Sequence, residues 1–400
     1  MEVERAGRLW QEPSGTVKAG PACGALSVDR RAKLLGKIDI RTQKGLEIGA
    51  LDRPVVGRDE GLIHYADHAS TNDLRHKYRD DKAVNTSDIV DVDFVLGEKT
   101  FAEAIGREHE FDYVIASHVI EHVPDVIGWL QEISENLRDG GILSLAVPDK
   151  RFSFDYFRTA TTCGELIEAH MRKIRRPSPK QVFDHLSTCV TFDTGLRWSG
   201  KLDEARLKTN HSVRYAAKAA EESFHDGKYV DVHCTIYTPK TFFQIIDVLS
   251  ELDLIDFRVV DFHDTAEDEL EFFVSFEKLT SSDDLEKQRF LKRQSIPRIE
   301  LDSWERAQQR RFEELEKTIN RLARQNDQLL RERDMLDAQL AEANRQFDAQ
   351  LAEANRQFDA QLAEANRQLE ITRNSTSWRI TEPMRRLKLF LLRLRGSSTP

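Results

Sequence analysis

Residues 111–149 constrain the fold of this chain more than any other stretch. Residues 113–116 and 142–147 are two short apolar runs of the length that buried parallel strands have. Between them, Pro124 and Asp125 open a segment whose apolar residues recur every three or four positions, which predicts a helix with one buried face. Because the connections are short, we expect these three elements to form a right-handed parallel crossover.

The same alternation of strand and helix extends on both sides of this unit. Five further strands are predicted, at residues 44–49, 62–66, 89–95, 254–260 and 270–276. Helices are predicted at residues 72–78, 101–107 and 240–252. The last two strands are close enough in sequence to pair in antiparallel. We therefore predict an α/β fold with a doubly wound sheet of seven strands.

The chain of 400 residues is too long for one ordinary core, and its character changes along its length. Residues 31–280 carry the α/β pattern, interrupted at about 150–230 by a polar segment that we interpret as a mostly helical insertion over the strand ends. Residues 1–30 are rich in glycine, alanine, proline and charge and are predicted to be disordered. Residues 281–300 are interpreted as a charged linker.

A coiled coil is predicted over residues 301–372. Two series of residues recur every seven positions, offset by three, and begin at Phe312 and Leu315. An 11-residue sequence, DAQLAEANRQF, then repeats from Asp337, which predicts a straight or right-handed coil. Because a single helix would leave these apolar side chains in water, we expect a homo-oligomer. Asn326 in the first series favours a dimer, and a trimer is the alternative.

Residues 373–400 are a basic, amphipathic tail. From Trp378 to Arg395, six arginine and lysine residues face one acidic residue, Glu382, and alternate with apolar side chains such as Trp378 and Phe390. The tail is too short and too basic to span a bilayer. We expect it to bind the inner face of the plasma membrane or to dock on a partner glycosyltransferase. With no apolar signal peptide at its start, the protein is expected to be cytoplasmic and peripheral to that membrane.

Charge and cysteine content argue against some classes of function. The net charge is −10, so the chain has no general electrostatic attraction for nucleic acid. The four cysteines are scattered without a CxxC pair, which indicates reduced thiols. No metal site is predicted from the sequence.

Three residues at or near successive strand ends suggest a ligand site. Gly49 follows the first predicted strand, Asp67 follows the second, and Asp93 lies in the third. A glycine lets the backbone approach a ligand closely, and a carboxylate at a strand end can accept hydrogen bonds from ribose hydroxyls. The alternative is a turn glycine with two helix-capping aspartates. Their order in an α/β pattern favours an adenosine-type ligand.

The motifs around these residues resemble those of class I S-adenosylmethionine-dependent methyltransferases, most closely the bacterial methyltransferase-11 type. The resemblance rests on LEIG at residues 46–49, YADH at 65–68, FDYVIASHVIEHVPD at 111–125 and DGGILSLAVPD at 139–149. It implies a Rossmann-like fold over about residues 45–278, with S-adenosylmethionine as the cofactor.

The resemblance also implies which residues surround the cofactor: Glu47, Gly49, Asp67, Asp93, Phe94 and Ser117. Asp67 would hold the ribose, Asp93 and Phe94 would border the adenine, and Ser117 would lie near the methionine end. The family's GxGxG loop is absent, because residues 50–54 read ALDRP. That departure argues against a dinucleotide-binding oxidoreductase, and it keeps a non-catalytic scaffold as an alternative.

Histidines are the candidate bases for methyl transfer to a hydroxyl group. His118, at the end of a predicted strand, is the first candidate. His122 is the second, unless it only forms hydrogen bonds within the following helix. Four more residues are candidate acceptor contacts or structural residues, namely Asp149, Arg151, His185 and His233.

The combination of this domain, a coiled coil and a basic tail resembles bacterial methyltransferases that modify polysaccharides. We predict O-methylation of a sugar hydroxyl on a surface polysaccharide or a lipid-linked glycan. Methylation of the terminal sugar would remove the nucleophile for the next addition and so end chain growth. A protein, lipid or small-molecule acceptor is the alternative.

Overall fold

The computed structural model describes residues 30–106, 110–280 and 283–395. It divides the chain into two compact units, with the boundary after Arg311. The disorder predicted for residues 1–30 lies, apart from Arg30, outside the described residues.

The first unit is built on a seven-stranded sheet. Its strands are β1 (Lys44–Ile48), β2 (Leu62–Asp67), β3 (Phe94–Val95), β4 (Phe111–Ser117), β5 (Leu137–Pro148), β6 (Phe257–His263) and β7 (Glu271–Lys278). Their order in the sheet is β3-β2-β1-β4-β5-β7-β6. Strands β1 to β5 are parallel, whereas β7 is antiparallel to both β5 and β6. The predicted seven-stranded sheet with a final antiparallel pair is therefore confirmed.

Helices cover both faces of the sheet, and further helices follow the last strand in the chain. In chain order they are α1 (Arg30–Leu35), α2 (Thr71–Lys77), α3 (Phe101–Ala104), α4 (Val126–Asn136), α5 (Cys163–Met171), α6 (Pro179–Thr188), α7 (Thr194–Trp198), α8 (Val213–His225), α9 (Pro239–Glu251), α10 (Leu285–Ser295), α11 (Ser303–Asn374), α12 (Thr376–Ile380) and α13 (Glu382–Arg395). A short 3₁₀ helix, Ile120–His122, connects β4 to α4.

The core lies on the two sides of the sheet, because the strands present apolar residues to both faces. Helix α4 begins where the Asp125 side chain accepts a hydrogen bond from Gly128 N at 2.8 Å. Its apolar face, with Ile127 and Ile133 fully buried, packs on the same side as α3 and α9. The crossover predicted from residues 111–149 is thus the centre of the core.

Several predicted boundaries differ from the structure, and three of them show why. The strand predicted at 89–95 is only Phe94–Val95, because residues before it run beside the first loop, where Val90 N donates to Leu51 O at 2.9 Å. Strand β5 begins at Leu137, directly after α4, and not at residue 142. Helix α3 ends at Ala104, short of the predicted residue 107.

The polar segment at 150–230 is largely helical, as the sequence indicated, and holds α5 to α8. Helices α6 and α8 pack together around a small apolar cluster of their own, which includes Val182, Leu186 and Ala216. Residues 281–300 are more than a charged linker, because α10 packs on α9 and β6. Lys292, on α10, is buried and donates to Ile255 O at 2.9 Å.

The second unit consists of the helical residues from Phe312 onward. No side chain of α11 is buried in the single chain, and the leucines of the predicted seam, such as Leu322 and Leu329, are more than half exposed. Helix α12 begins at the N-cap Ser375, and α13 follows. None of the helices in the described part of the chain combines the length and hydropathy that a membrane span requires.

Candidate functional site

Four parallel strands end at the same level and form one row of residues along the carboxyl edge of the sheet. Ile48 pairs with Ala66 on one side and with Ala116 on the other, and Ala66 pairs with Phe94. The next residue on each strand therefore belongs to this carboxyl-edge row, which consists of Gly49, Asp67, Val95 and Ser117. Ligands of open α/β sheets bind outside such an edge.

Gly49 begins the first loop and must be small. Its φ is +71°, a conformation that glycine adopts readily, and an added Cβ would lie 3.0 Å from Val119 Cγ2. Glu47, just before it, accepts hydrogen bonds from Val55 N at 2.8 Å and Val56 N at 3.2 Å. Burial raises the pKa of this carboxyl to about 7, although the two amides oppose that change. Glu47 therefore shapes the loop that replaces the glycine-rich one.

Asp67 keeps one carboxylate oxygen without a hydrogen bond from the described residues. It is buried, its Oδ1 accepts from His68 N at 2.7 Å, and its Oδ2 takes no hydrogen bond from the described residues. One carboxylate oxygen is thus left for a ligand at the end of β2, which fits the ribose of S-adenosylmethionine.

Asp93 is not on the carboxyl-edge row, contrary to the sequence-based assignment. It lies two residues before Val95, and its Oδ2 accepts from Arg58 Nη2 at 2.7 Å and from Tyr65 N at 2.8 Å. Phe94 stacks on His64 and packs against the core. Residues 96–97 follow β3 at the edge instead, where Leu96 N donates to Asp67 O.

His118 is held by two acidic side chains just past Ser117. Its Nε2 lies 2.7 Å from Glu271 Oε2, and its Nδ1 lies 3.5 Å from Glu121 Oε1. Burial opposes a charged ring, but the hydrogen bond to Glu271 raises the pKa of His118. In turn, His118 lowers the pKa of Glu271 to about 2 despite burial. Arg30 completes this network by binding Glu271 at 2.6 Å and Ser117 Oγ at 2.5 Å.

His122 lies beside a different carboxylate. Its Nδ1 lies 3.0 Å from Asp231 Oδ1, and Lys77 binds the other oxygen of Asp231 at 2.9 Å. Burial opposes a charged ring here too, yet Asp231 raises the pKa of His122 to about 9. His122 is therefore tied to the segment after the insertion, and not to its own helix.

Of the four candidate acceptor contacts, two histidines are interior residues. His233 is 5% exposed, and its Nδ1 lies 2.5 Å from Asp155 Oδ2. His185 is fully buried, and its Nδ1 accepts a hydrogen bond from His233 N at 3.2 Å. Burial lowers the pKa of His185 well below its usual value, so this ring is neutral. In the structure His185 is therefore a buried partner of His233.

The other two, Asp149 and Arg151, bind each other. Asp149 is fully buried, accepts from Thr265 Oγ1 at 3.0 Å, and pairs with the guanidinium of Arg151. Arg151 also pairs with Asp302, just before α11. Both side chains are occupied in fastening this segment to the end of β5, so the structure does not support acceptor contacts by either.

A cavity of about 660 Å³, lined by both polar and apolar side chains, lies at the helical insertion. Helices α5 and α6 form much of its wall, and Cys234 and Thr235 form another part. Their backbone N–H groups both donate to Glu121 O, so this wall is joined directly to the segment that carries His118 and His122. The lining includes hydroxyl, amide, carboxylate and ammonium groups, among them Thr162, Glu165, Ser178, Lys180, Gln181 and Asp184.

Sequence reasoning missed the acidic residues around the histidines. Glu121 had a local signal, because it precedes His122 directly after a strand. Glu271 and Asp231 had none, since they are more than 100 positions from the histidines they contact. Arg30 belongs to a stretch that was predicted to be disordered.

Comparison with solved structures finds only distant similarity. The chain is 12% identical to the CcbJ methyltransferase of Streptomyces caelestis, with 66% of this chain and 94% of that chain covered and a TM-score of 0.32. An S-adenosylmethionine-dependent methyltransferase of Mesorhizobium loti is 11% identical, with coverages of 63% and 98% and a TM-score of 0.31. A proposed zinc-dependent alcohol dehydrogenase of Rhodobacter sphaeroides is 12% identical, with coverages of 64% and 92% and a TM-score of 0.36.

Comparison with protein families identifies the family of this chain, which the distant structural similarities do not. No curated protein matches the chain. The family model described as a methyltransferase domain matches residues 31–232, just over half of the chain. This range contains the carboxyl-edge row and both candidate bases. The chain therefore belongs to the methyltransferase-domain family, with a class I fold and S-adenosylmethionine as its cofactor.

Proposed function

We propose that this protein transfers the methyl group of S-adenosylmethionine to a sugar hydroxyl of a bacterial surface polysaccharide or of its lipid-linked precursor. The observation that carries the proposal is the cavity joined to the histidine segment, because its lining offers hydroxyl, carboxylate and amide groups beside apolar side chains. A sugar needs hydrogen-bond partners for its hydroxyl groups, and the polar side chains of this cavity can supply them.

The cofactor supplies an electrophilic methyl group on a sulfonium, and the protein has to orient and deprotonate the acceptor. Gly49 and Asp67 would hold the cofactor, with Ser117 near its methionine end. His118 is the proposed base, because it follows Ser117 and its ring is fixed by Glu271. His122 is the second candidate, and Asp231 fixes it similarly.

We also propose that the C-terminal helices determine where the protein is located in the cell. The exposed apolar seam of α11 supports a homo-oligomer, a dimer or a trimer, through a coiled coil. Helix α13 combines basic residues such as Arg385 and Arg386 with exposed Leu387 and Phe390, which supports binding to an anionic membrane surface. Docking on a glycosyltransferase is the alternative. Either arrangement would keep the protein at the inner face of the membrane, where a lipid-linked glycan grows.

The test is transfer of a labelled methyl group by purified full-length protein. Lipid-linked glycans and polysaccharide from cells that lack the gene serve as acceptors, with protein and lipid fractions of the same cells alongside. We expect label on a terminal sugar, located by mass spectrometry, and none with the Asp67→Ala variant. Label found only in protein or lipid would refute the sugar acceptor. Cofactor binding without transfer to any fraction would instead favour the non-catalytic scaffold.

A further inference from the structure

A second kind of site is formed by three side chains next to the candidate bases. Glu121 and His122 lie in the 3₁₀ helix after β4, and His233 lies in the segment after the insertion. One donor atom from each of the three lies within 4.8 Å of the other two. Two imidazoles and one carboxylate form a donor set that divalent transition metals bind.

Each imidazole has a carboxylate close to its Nδ1. Asp231 lies 3.0 Å from Nδ1 of His122, and Asp155 lies 2.5 Å from Nδ1 of His233. The two rings meet edge to face, with their centroids 4.7 Å apart. Metal-binding histidines characteristically direct one ring nitrogen to a carboxylate and the other to the ion. Nε2 of each ring is accordingly the nitrogen that we assign to the ion.

Glu121 is an independent indication that a cation belongs here. Its side chain is 1% exposed, and neither carboxylate oxygen has a hydrogen bond within the described residues. Its nearest ion-pair contact, His118 Nδ1, is 3.5 Å away, which is longer than a good hydrogen bond. Burying a carboxylate in this way costs several kcal/mol or more unless a partner compensates the charge. A bound cation would be that partner.

We propose that Glu121, His122 and His233 bind one divalent transition-metal ion, such as Zn²⁺, Co²⁺ or Mn²⁺. Ions of this class bind imidazole nitrogen and carboxylate oxygen at about 2.0–2.2 Å in tetrahedral sites, so neighbouring donors lie about 3.4 Å apart. The three donor atoms, which lie within 4.8 Å of one another, would have to approach by up to about 1.4 Å to share one ion. The two nitrogen ligands disfavour Mg²⁺ and Ca²⁺, which prefer oxygen. Half-buried His122 gives the ion a route from solvent.

Binding of Zn²⁺ and Co²⁺ to the metal-stripped full-length protein tests the proposal. We expect one ion per chain by elemental analysis and titration calorimetry, a visible absorption band from bound Co²⁺, and a higher melting temperature with Zn²⁺. Glu121→Gln and His233→Gln should each remove the stoichiometric ion. His263→Gln, on β6 and outside the cluster, is the matched control and should retain it. Cofactor binding by each variant shows that its domain is folded.

The outcomes separate this site from the proposed function. Protein that binds S-adenosylmethionine but no stoichiometric Zn²⁺ or Co²⁺ would overturn the metal site and leave the proposed methyl transfer standing. A stoichiometric ion that persists in both cluster variants would also overturn it, because the ion would then be held elsewhere. Metal binding lost only in the cluster variants would support the site even if no sugar were methylated.

Discussion

Glu271 Oε2 lies 2.7 Å from His118 Nε2, although the two residues are 153 positions apart in the chain. The antiparallel strand β7 makes this contact possible. Strands β4 and β5 end at the carboxyl edge, whereas β7 begins there, with Glu271 opposite Pro148. The first residue of β7 therefore delivers a carboxylate to the edge where the parallel strands place the candidate base.

This pairing predicts how the candidate base responds to mutation. His118→Ala should lower turnover by about 100-fold or more, as loss of a general base does, while S-adenosylmethionine affinity stays unchanged. Glu271→Gln should lower turnover less, because the ring remains but loses its charged partner. Steady-state methyl transfer and calorimetry measure the two effects.

The matched control for Glu271→Gln is Glu277→Gln, on the same strand. Glu277 pairs with Arg258 away from the carboxyl edge, so its variant should retain full turnover. Wild-type turnover by His118→Ala would exclude His118 as the base and make His122 the next residue to test.

The carboxyl-edge row predicts which aspartate binds the cofactor. Asp67→Ala should abolish S-adenosylmethionine binding without unfolding the protein, because Asp67 Oδ2 faces no partner within the described residues. Gly49→Val should also abolish binding. It should cost about 1–2 kcal/mol of stability as well, because its φ is +71°. Calorimetric titration and thermal melting measure both effects.

The Asp93→Asn variant tests whether Asp93 has a structural role, as its contacts indicate, or binds adenine, as the sequence suggested. Asp93 is engaged by Arg58 and Tyr65 below the edge, so we expect this variant to bind the cofactor with wild-type affinity and to melt at a lower temperature. Loss of cofactor affinity with unchanged stability would instead support the assignment of Asp93 to the adenine site.

The raised pKa of Glu47 predicts that the stability of the protein depends on pH. The folded protein raises its pKa from 4.5 to about 7, so between these values the folded state binds more protons than the unfolded state. Stability should therefore fall as pH rises from about 4.5 to 7, by at most about 3 kcal/mol, and level off above that range. Melting curves of wild-type and Glu47→Gln protein at pH 5 and pH 8 isolate this contribution. An equal change with pH in both proteins would contradict the prediction.

The exposed seam of α11 predicts self-association. Leu322→Asp combined with Leu329→Asp should yield monomers, because charges would replace two exposed apolar residues of the seam. Arg324→Asp combined with Arg331→Asp is the matched control, because these positions lie off the seam, and it should retain the wild-type assembly. Analytical ultracentrifugation at micromolar concentration gives the result. A monomeric wild-type protein would rule out the coiled coil.

The tail predicts binding to anionic membranes. Full-length protein should float with anionic liposomes, and a chain ending at Arg373 should not, because it lacks α12 and α13. Each Lys or Arg near an anionic surface contributes about 1 kcal/mol, so flotation should weaken as salt rises. Equal behaviour of the two chains would favour docking on a partner protein.

The sequence by itself determined the features that repeat locally. Apolar spacing specifies each strand and helix one at a time, so the seven strands, the crossover around α4 and the long α11 were predictable. Gly49, Asp67 and Ser117 were predictable as neighbours for the same reason. Each ends its own parallel strand, and parallel strands end at one edge.

Only the tertiary structure determined which charged side chains contact one another. The sequence does not distinguish a carboxylate with an oxygen left unpaired among the described residues, like Asp67, from one that is already engaged, like Asp93 and Asp149. The partners of His118 and His122 come from distant strands and segments, and no local pattern records such contacts. Burial then sets the charge and availability of each group, because the same side chain behaves differently once water is excluded.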